Sequence, residues 1–127
     1  MAKAVLDASA LLAFLNGETG GEQVAHVIGD AIISAVNFAE VVTRLVRSGV
    51  SIKRIVELPA IADLDVVPFN RALSEETGLL ITQTGSRGLS LGDRACLALA
   101  KQEGLPAYTA DRSWSELGIG IEVQLIR

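Results

Sequence analysis

The sequence predicts an α/β fold with a central, mainly parallel five-stranded sheet flanked by helices on both faces. Two observations carry this expectation. Apolar runs too short for helices alternate with longer stretches whose apolar residues recur at helical spacing, and Gly, Pro, Ser and Asn punctuate the junctions. Strands separated by helices then imply right-handed crossovers and parallel pairing. A chain of 127 residues that is 50% hydrophobic has material for one core, so residues 1–127 are read as one domain.

Ala4-Val5-Leu6 suits a strand buried on both faces, and a helix from Ser9 to Leu15 follows until Gly17, Gly20 and Gly21 break it. Residues 22–28 form a weak second helix. Ala31-Ile32-Ile33, bounded by Ser34, is the second strand, after which Asn37 is placed to cap a helix over 38–48 whose Val41, Val42, Leu45 and Val46 share a face, with Gly49 as its stop. A helix near 52–61 ends around Pro59. Residues 65–69 make a third strand, with Pro68 placing its end near a sheet edge, and a longer helix spans about 70–83. Thr84 to Gly88 is a polar loop. Ser90 opens a helix that stops at Gly104, Pro106 to Thr109 form the fourth strand, and Ile121 to Ile126 the fifth.

Composition narrows the function classes. The chain carries 11 basic and 15 acidic residues, a net charge of −4, which argues against generic polyanion binding through a broad cationic face. Cys96 is the single cysteine and sits in an apolar run, where a thiol acts as a small core residue; a reducing cytoplasm is its simplest home. Asp7 interrupts the first apolar stretch, so neither a secretory signal nor a spanning helix is expected.

The carboxylates are more informative. In a parallel α/β sheet all strand-to-helix junctions lie on one edge, where such folds bind ligands. Asp7 leaves the first strand, Glu40 falls in the first turn after Asn37, Asp93 in the first turn after Ser90, and Asp111 just beyond the fourth strand. Three have a bland alternative: Asn37-x-x-Glu40 and Ser90-x-x-Asp93 resemble capping boxes, and Asp111 can cap a short turn containing Trp114. Asp7, following a doubly buried strand, is harder to dismiss because its desolvation must be compensated. Taken together, clustered carboxylates repel one another unless protonated or neutralised by a cation. Oxygen ligands with a single, remote His26 favour Mg²⁺ or Mn²⁺ over zinc, and a hard metal with open water positions suits phosphodiester hydrolysis.

The segments Val5-Leu6-Asp7-Ala8-Ser9-Ala10-Leu11-Leu12, Asn37-Phe38-Ala39-Glu40-Val41, Leu91-Gly92-Asp93-Arg94-Ala95 and Tyr108-Thr109-Ala110-Asp111-Arg112 resemble PIN-domain ribonucleases. Their pattern is most similar to the VapC-type toxins of bacterial toxin–antitoxin pairs, over nearly the whole chain. The resemblance implies a PIN-like three-layer fold, Mg²⁺- or Mn²⁺-dependent RNA cleavage, inhibition of translation and neutralisation by a small antitoxin. It also carries catalytic and metal-binding roles to Asp7, Glu40, Asp93 and Asp111. Ser9 matches a hydroxyl position after the first acid, and Thr109 precedes the last. Either could orient a carboxylate or a metal-bound water, although Ser9 could equally cap its helix.

Arg87, Arg94 and Arg112 lie near the expected edge and are candidate RNA contacts, chiefly to phosphate. Arg44, Arg47, Lys53 and Arg54 form a basic stretch along another part of the chain, and Phe14, Phe38, Phe69 and Trp114 are expected in the core. The apolar surplus together with the resemblance leads to an expected homodimer within a larger toxin–antitoxin complex, with no membrane partner. Two rivals differ in kind. A phosphoacceptor receiver domain would need an Asp ending the third strand and a Lys ending the fifth, where this chain reads Phe69-Asn70 and Leu125-Ile126-Arg127. A catalytically silent interaction module would keep the fold without needing the acids.

Overall fold

All five strands form: β1 (Ala4–Leu6), β2 (Ala31–Ser34), β3 (Asp65–Val67), β4 (Ala107–Thr109) and β5 (Val123–Leu125). They pair in the order β3-β2-β1-β4-β5 in a computed structural model that describes residues 1–127. Every pairing is parallel. The chain enters at the sheet centre, runs out to one edge, then crosses back to fill the other side. The order therefore reverses between β1 and β4, leaving a crevice beyond their carboxyl ends.

The helices are α1 (Ala8–Leu15), α2 (Gly21–Ala25), α3 (Ala35–Arg47), α4 (Ile52–Glu57), α5 (Pro59–Ala62), α6 (Arg71–Leu79), α7 (Ile81–Thr84) and α8 (Leu91–Glu103). Short 3₁₀ turns occupy Ile28–Asp30, Gly85–Arg87 and Arg112–Glu116. Strand alternation divides the core between the two faces. Ala4, Leu6, Ala31 and Ile33 pack with Leu11, Val24, Val41, Leu45, Ile55 and Ile61 from α1 to α5. Val5 and Ile32 point the other way, onto Leu73, Cys96, Leu97 and Trp114. Both faces of β1 and β2 are thus dry, which is why those strands read as unbroken apolar runs. No helix is long and apolar enough to cross a membrane.

Several boundaries differ from the expectation for identifiable reasons. Asn37 does not cap α3. Ser34, the last residue of β2, does so through its Oγ, which accepts from the Val36 N–H at 3.2 Å, and the helix begins at Ala35. Asn37 is therefore inside the helix and buried, and Glu40 lies in its second turn. Likewise Asp7 caps α1 through the Ala10 N–H, so Ser9 is a helical residue and not the cap. The stretch expected as one helix over 52–61 breaks at Leu58, where the extended backbone before Pro59 separates α4 from α5. The third strand stops at Val67, just before Pro68, and β3 is an edge strand as that proline requires. The 70–83 helix divides into α6, capped by Asn70, and α7. Of the four aromatics expected in the core, Trp114 is fully buried, while Phe14 and Phe38 are half-buried at the margin of one core face and Phe69 at the margin of the other.

Candidate functional site

Asp7, Glu40, Asp93 and Asp111 line one open cleft of about 540 Å³ at the carboxyl edge of the sheet. Asp7 is delivered by the end of β1. Its Oδ1 accepts from the Ser9 hydroxyl at 2.7 Å and the Ala10 N–H at 2.8 Å, and its Oδ2 accepts from the Thr109 hydroxyl at 2.5 Å. Ser9 Oγ in turn accepts from the Ala110 N–H at 2.9 Å, and Thr109 Oγ1 accepts from the Asp111 N–H at 3.0 Å. The two hydroxyls therefore lace β1 and α1 to the end of β4 and fix both Asp7 and the backbone of Asp111.

Asp93 and Asp111 arrive on helix starts, and Glu40 on the second turn of α3. Asp93 completes a capping box: its Oδ2 accepts from the Ser90 N–H at 2.9 Å while Ser90 Oγ accepts from the Asp93 N–H at 3.1 Å. Asp111 caps the 3₁₀ turn, its Oδ1 accepting from the Ser113 N–H and hydroxyl. Glu40 Oε1 accepts from Asn37 Nδ2 at 3.0 Å. The capping interpretation is thus correct for Asp93 and Asp111 and fails for Asn37 and Glu40, while Asp7 is a cap that the sequence did not suggest; capping does not exhaust any of them. Each of Glu40, Asp93 and Asp111 is oriented through one oxygen, leaving Glu40 Oε2, Asp93 Oδ1 and Asp111 Oδ2 without a protein donor.

Electrostatics mark the same place. Burial pushes the Asp7 carboxyl from 3.8 up to about 6, against the pull of the hydrogen bonds from Thr109, Ser9 and Ala10, with the negative charge of Asp93 adding to the rise. Glu40 is also raised, by partial burial and by Asp93, while the Asn37 hydrogen bond opposes the shift. The buried Cys96 thiol is pushed far up by burial and by Asp7, Asp93 and Glu40, which makes it an inert neighbour behind the cleft. Raised carboxylates facing one another are a hallmark of sites that take up a cation or a proton.

The donor set consists of carboxylate oxygens with no imidazole or thiolate in the lining, which suits a hard divalent ion. No group of three or more His, Cys, Asp or Glu side chains forms a ready-made cage. Mg²⁺ does not require such a cage: it keeps several waters, so one or two carboxylates can ligate it directly while the others hold its waters.

The cleft also contains three residues that the sequence did not assign to it. Arg44, read as part of a basic stretch along another part of the chain, lines the cleft from α3, and Arg127 lines it from the C-terminal segment. Glu18 is a further carboxylate in the lining, paired with Arg127 at 3.4 Å. No local motif announces any of the three, because Glu18 and Arg127 meet through the packing of Gly20 on Ile126. Gly20 has φ +95°, and a Cβ there would lie 2.6 Å from the Ile126 carbonyl oxygen. Arg87, Arg94 and Arg112 are not in this lining. Arg94 Nη1 donates to the Thr77 carbonyl at 2.9 Å and ties α8 to α6, Arg87 is exposed on its 3₁₀ turn, and Arg112 borders an adjoining groove that it shares with Arg127.

The comparisons agree with this architecture. The PIN domain family matches residues 4–120, and the chain belongs to that family. Among solved structures, it is similar to a toxin–antitoxin complex from Klebsiella pneumoniae, with 18% identity, 98% of each chain covered and a TM-score of 0.79. It is also similar to DNA-bound VapBC from Salmonella typhimurium, with 19% identity, 100% of each chain covered and a TM-score of 0.76. VapC20 of Mycobacterium tuberculosis, a sarcin–ricin loop cleaving toxin, shares 20% identity over 91% of this chain and 95% of its own, with a TM-score of 0.74. No curated protein matches the sequence.

Proposed function

We propose that this protein is a metal-dependent endoribonuclease of the VapC toxin type, built as one PIN domain. It cleaves structured RNA, thereby inhibiting translation, and is neutralised in the cytoplasm by a cognate antitoxin. One observation carries the reading: four carboxylates far apart in the chain share one cleft at the β1/β4 switch point. The family membership and the VapBC-like fold support the toxin class and its antitoxin partner.

In this reading Asp7, Glu40, Asp93 and Asp111 hold Mg²⁺ or Mn²⁺, which when bound supplies a nucleophilic water and stabilises charge on the scissile phosphate. Ser9 and Thr109 hold the Asp7 carboxylate in a fixed orientation. Arg44 and Arg127 flank five acidic side chains (Asp7, Glu18, Glu40, Asp93 and Asp111) and offer guanidinium groups to the RNA backbone. Arg127 is shared with Glu18 and the Thr19 carbonyl, so an incoming phosphate competes for it. Arg112 extends the same cationic side, while Arg87 and Arg94 contribute less.

The test is RNA cleavage by the purified protein with Mg²⁺ or Mn²⁺. The wild type is expected to cut, chelation by EDTA to stop it, and Asp7→Asn to abolish the activity. Equal cutting by wild type and Asp7→Asn would assign the cleavage to another site or a contaminant.

A further inference from the structure

The cleft contains a buried amide to which the proposed chemistry assigns no role. Asn37 is 1% exposed and lies one turn before Glu40 on α3. Its Nδ2 donates both to Glu40 Oε1 at 3.0 Å and to the Gly92 carbonyl at 2.9 Å. The second bond crosses between helices, because Gly92 lies in the first turn of α8, directly before Asp93. Gly92 leaves the space into which the glutamate fits: a Cβ there would overlap Glu40 Oε1 and lie 2.8 Å from its carboxyl carbon. Asn37 Oδ1, meanwhile, is buried with no partner. A position serving helix packing alone is better filled by an apolar side chain, which strands no amide oxygen.

We infer that Asn37 and Gly92 act together as a positioning device, in which the amide holds the Glu40 carboxylate against the first turn of α8 at a fixed relation to Asp93. Neither residue contributes an oxygen to the cation; both act through Glu40. The inference rests on the nuclease reading above. It explains why the helix start that presents Asp93 carries a glycine, a residue that weakens helices, at a point where Glu40 comes from another element.

The experiment uses the full chain as Asn37→Ala and Gly92→Ala, each alone and in a Glu40→Gln background. Manganese affinity is measured by calorimetry, RNA cleavage is resolved into kcat and KM, and melting curves monitor the fold. Each single variant should lose roughly 10–100-fold in Mn²⁺ affinity and kcat, while KM for RNA stays at the wild-type value. In the Glu40→Gln background the same substitutions should weaken Mn²⁺ no further. Folded single variants with wild-type affinity and kcat would overturn the inference, as would a full additional loss in the Glu40→Gln background, which would show action through another group. If Asn37→Ala does not fold, Gly92→Ala carries the test. A wild-type protein that neither binds Mn²⁺ nor cuts RNA removes the nuclease reading and this inference together.

Discussion

Asp7 illustrates how a functional side chain can cost stability. Its carboxyl is raised from 3.8 to about 6 by burial, so the folded state prefers it protonated. Its favourable contribution is complete below about pH 4 and is lost as pH rises through 6, so that Asp7 alone costs the metal-free protein about 3 kcal/mol at neutral pH. Asp7→Asn removes this penalty, keeps Oδ1 as the acceptor for Ser9 and Ala10, and turns the amide nitrogen toward the Thr109 hydroxyl as a donor. In EDTA at pH 8 it should melt several degrees above wild type, and near pH 4 the two curves should coincide; a variant that melts lower at pH 8 would contradict the assignment. Residue types at junctions made the four acids readable in the sequence, since each sits within a few positions of a strand end or a capping Ser. Glu18, Arg44 and Arg127 were not readable as cleft residues because their place depends on how a loop, a helix face and the C-terminal segment pack in space.

At the level of elements, strand and helix identity followed from local pattern, whereas helix starts did not always. Ser34 and Asn37 are both good caps, and three-residue spacing offers no way to choose between them. The choice fell to Ser34 because the chain turns directly from β2 into α3, which sends Asn37 inward to Glu40 and Gly92. A second packing constraint lies at the start of α2, where a Cβ on Gly21 would meet the Ala13 carbonyl oxygen at 2.7 Å and Phe14 Cα at 3.2 Å. Gly21→Ala must therefore push α2 from α1. The expected cost is about 1–3 kcal/mol in chemical denaturation; an unchanged midpoint would mean that the two helices separate without strain.

Across the whole molecule, the α/β class and the parallel sheet were legible because β1 and β2 are dry on both faces and therefore unmistakably apolar. Association is a separate matter. Val46, Ile52 and Val56 are exposed apolar side chains on α3 and α4, and Leu79, Ile81 and Leu91 are exposed on α6 to α8. The proposed homodimer would cover part of this surface, and light scattering at micromolar protein should give twice the 13.3 kDa chain mass; a monomer mass would reject the dimer without touching the cleft.

The claim on which the functional account depends is that the carboxylates of Asp7, Glu40, Asp93 and Asp111 bind a divalent cation as one centre. Calorimetric titration of Mn²⁺ into wild type and into the four single carboxylate-to-amide variants tests it most directly. Saturable binding by the wild type, weakened at least ~10-fold in every variant, is the predicted result. A wild type that takes up no ion, or variants that titrate like it, would contradict the account.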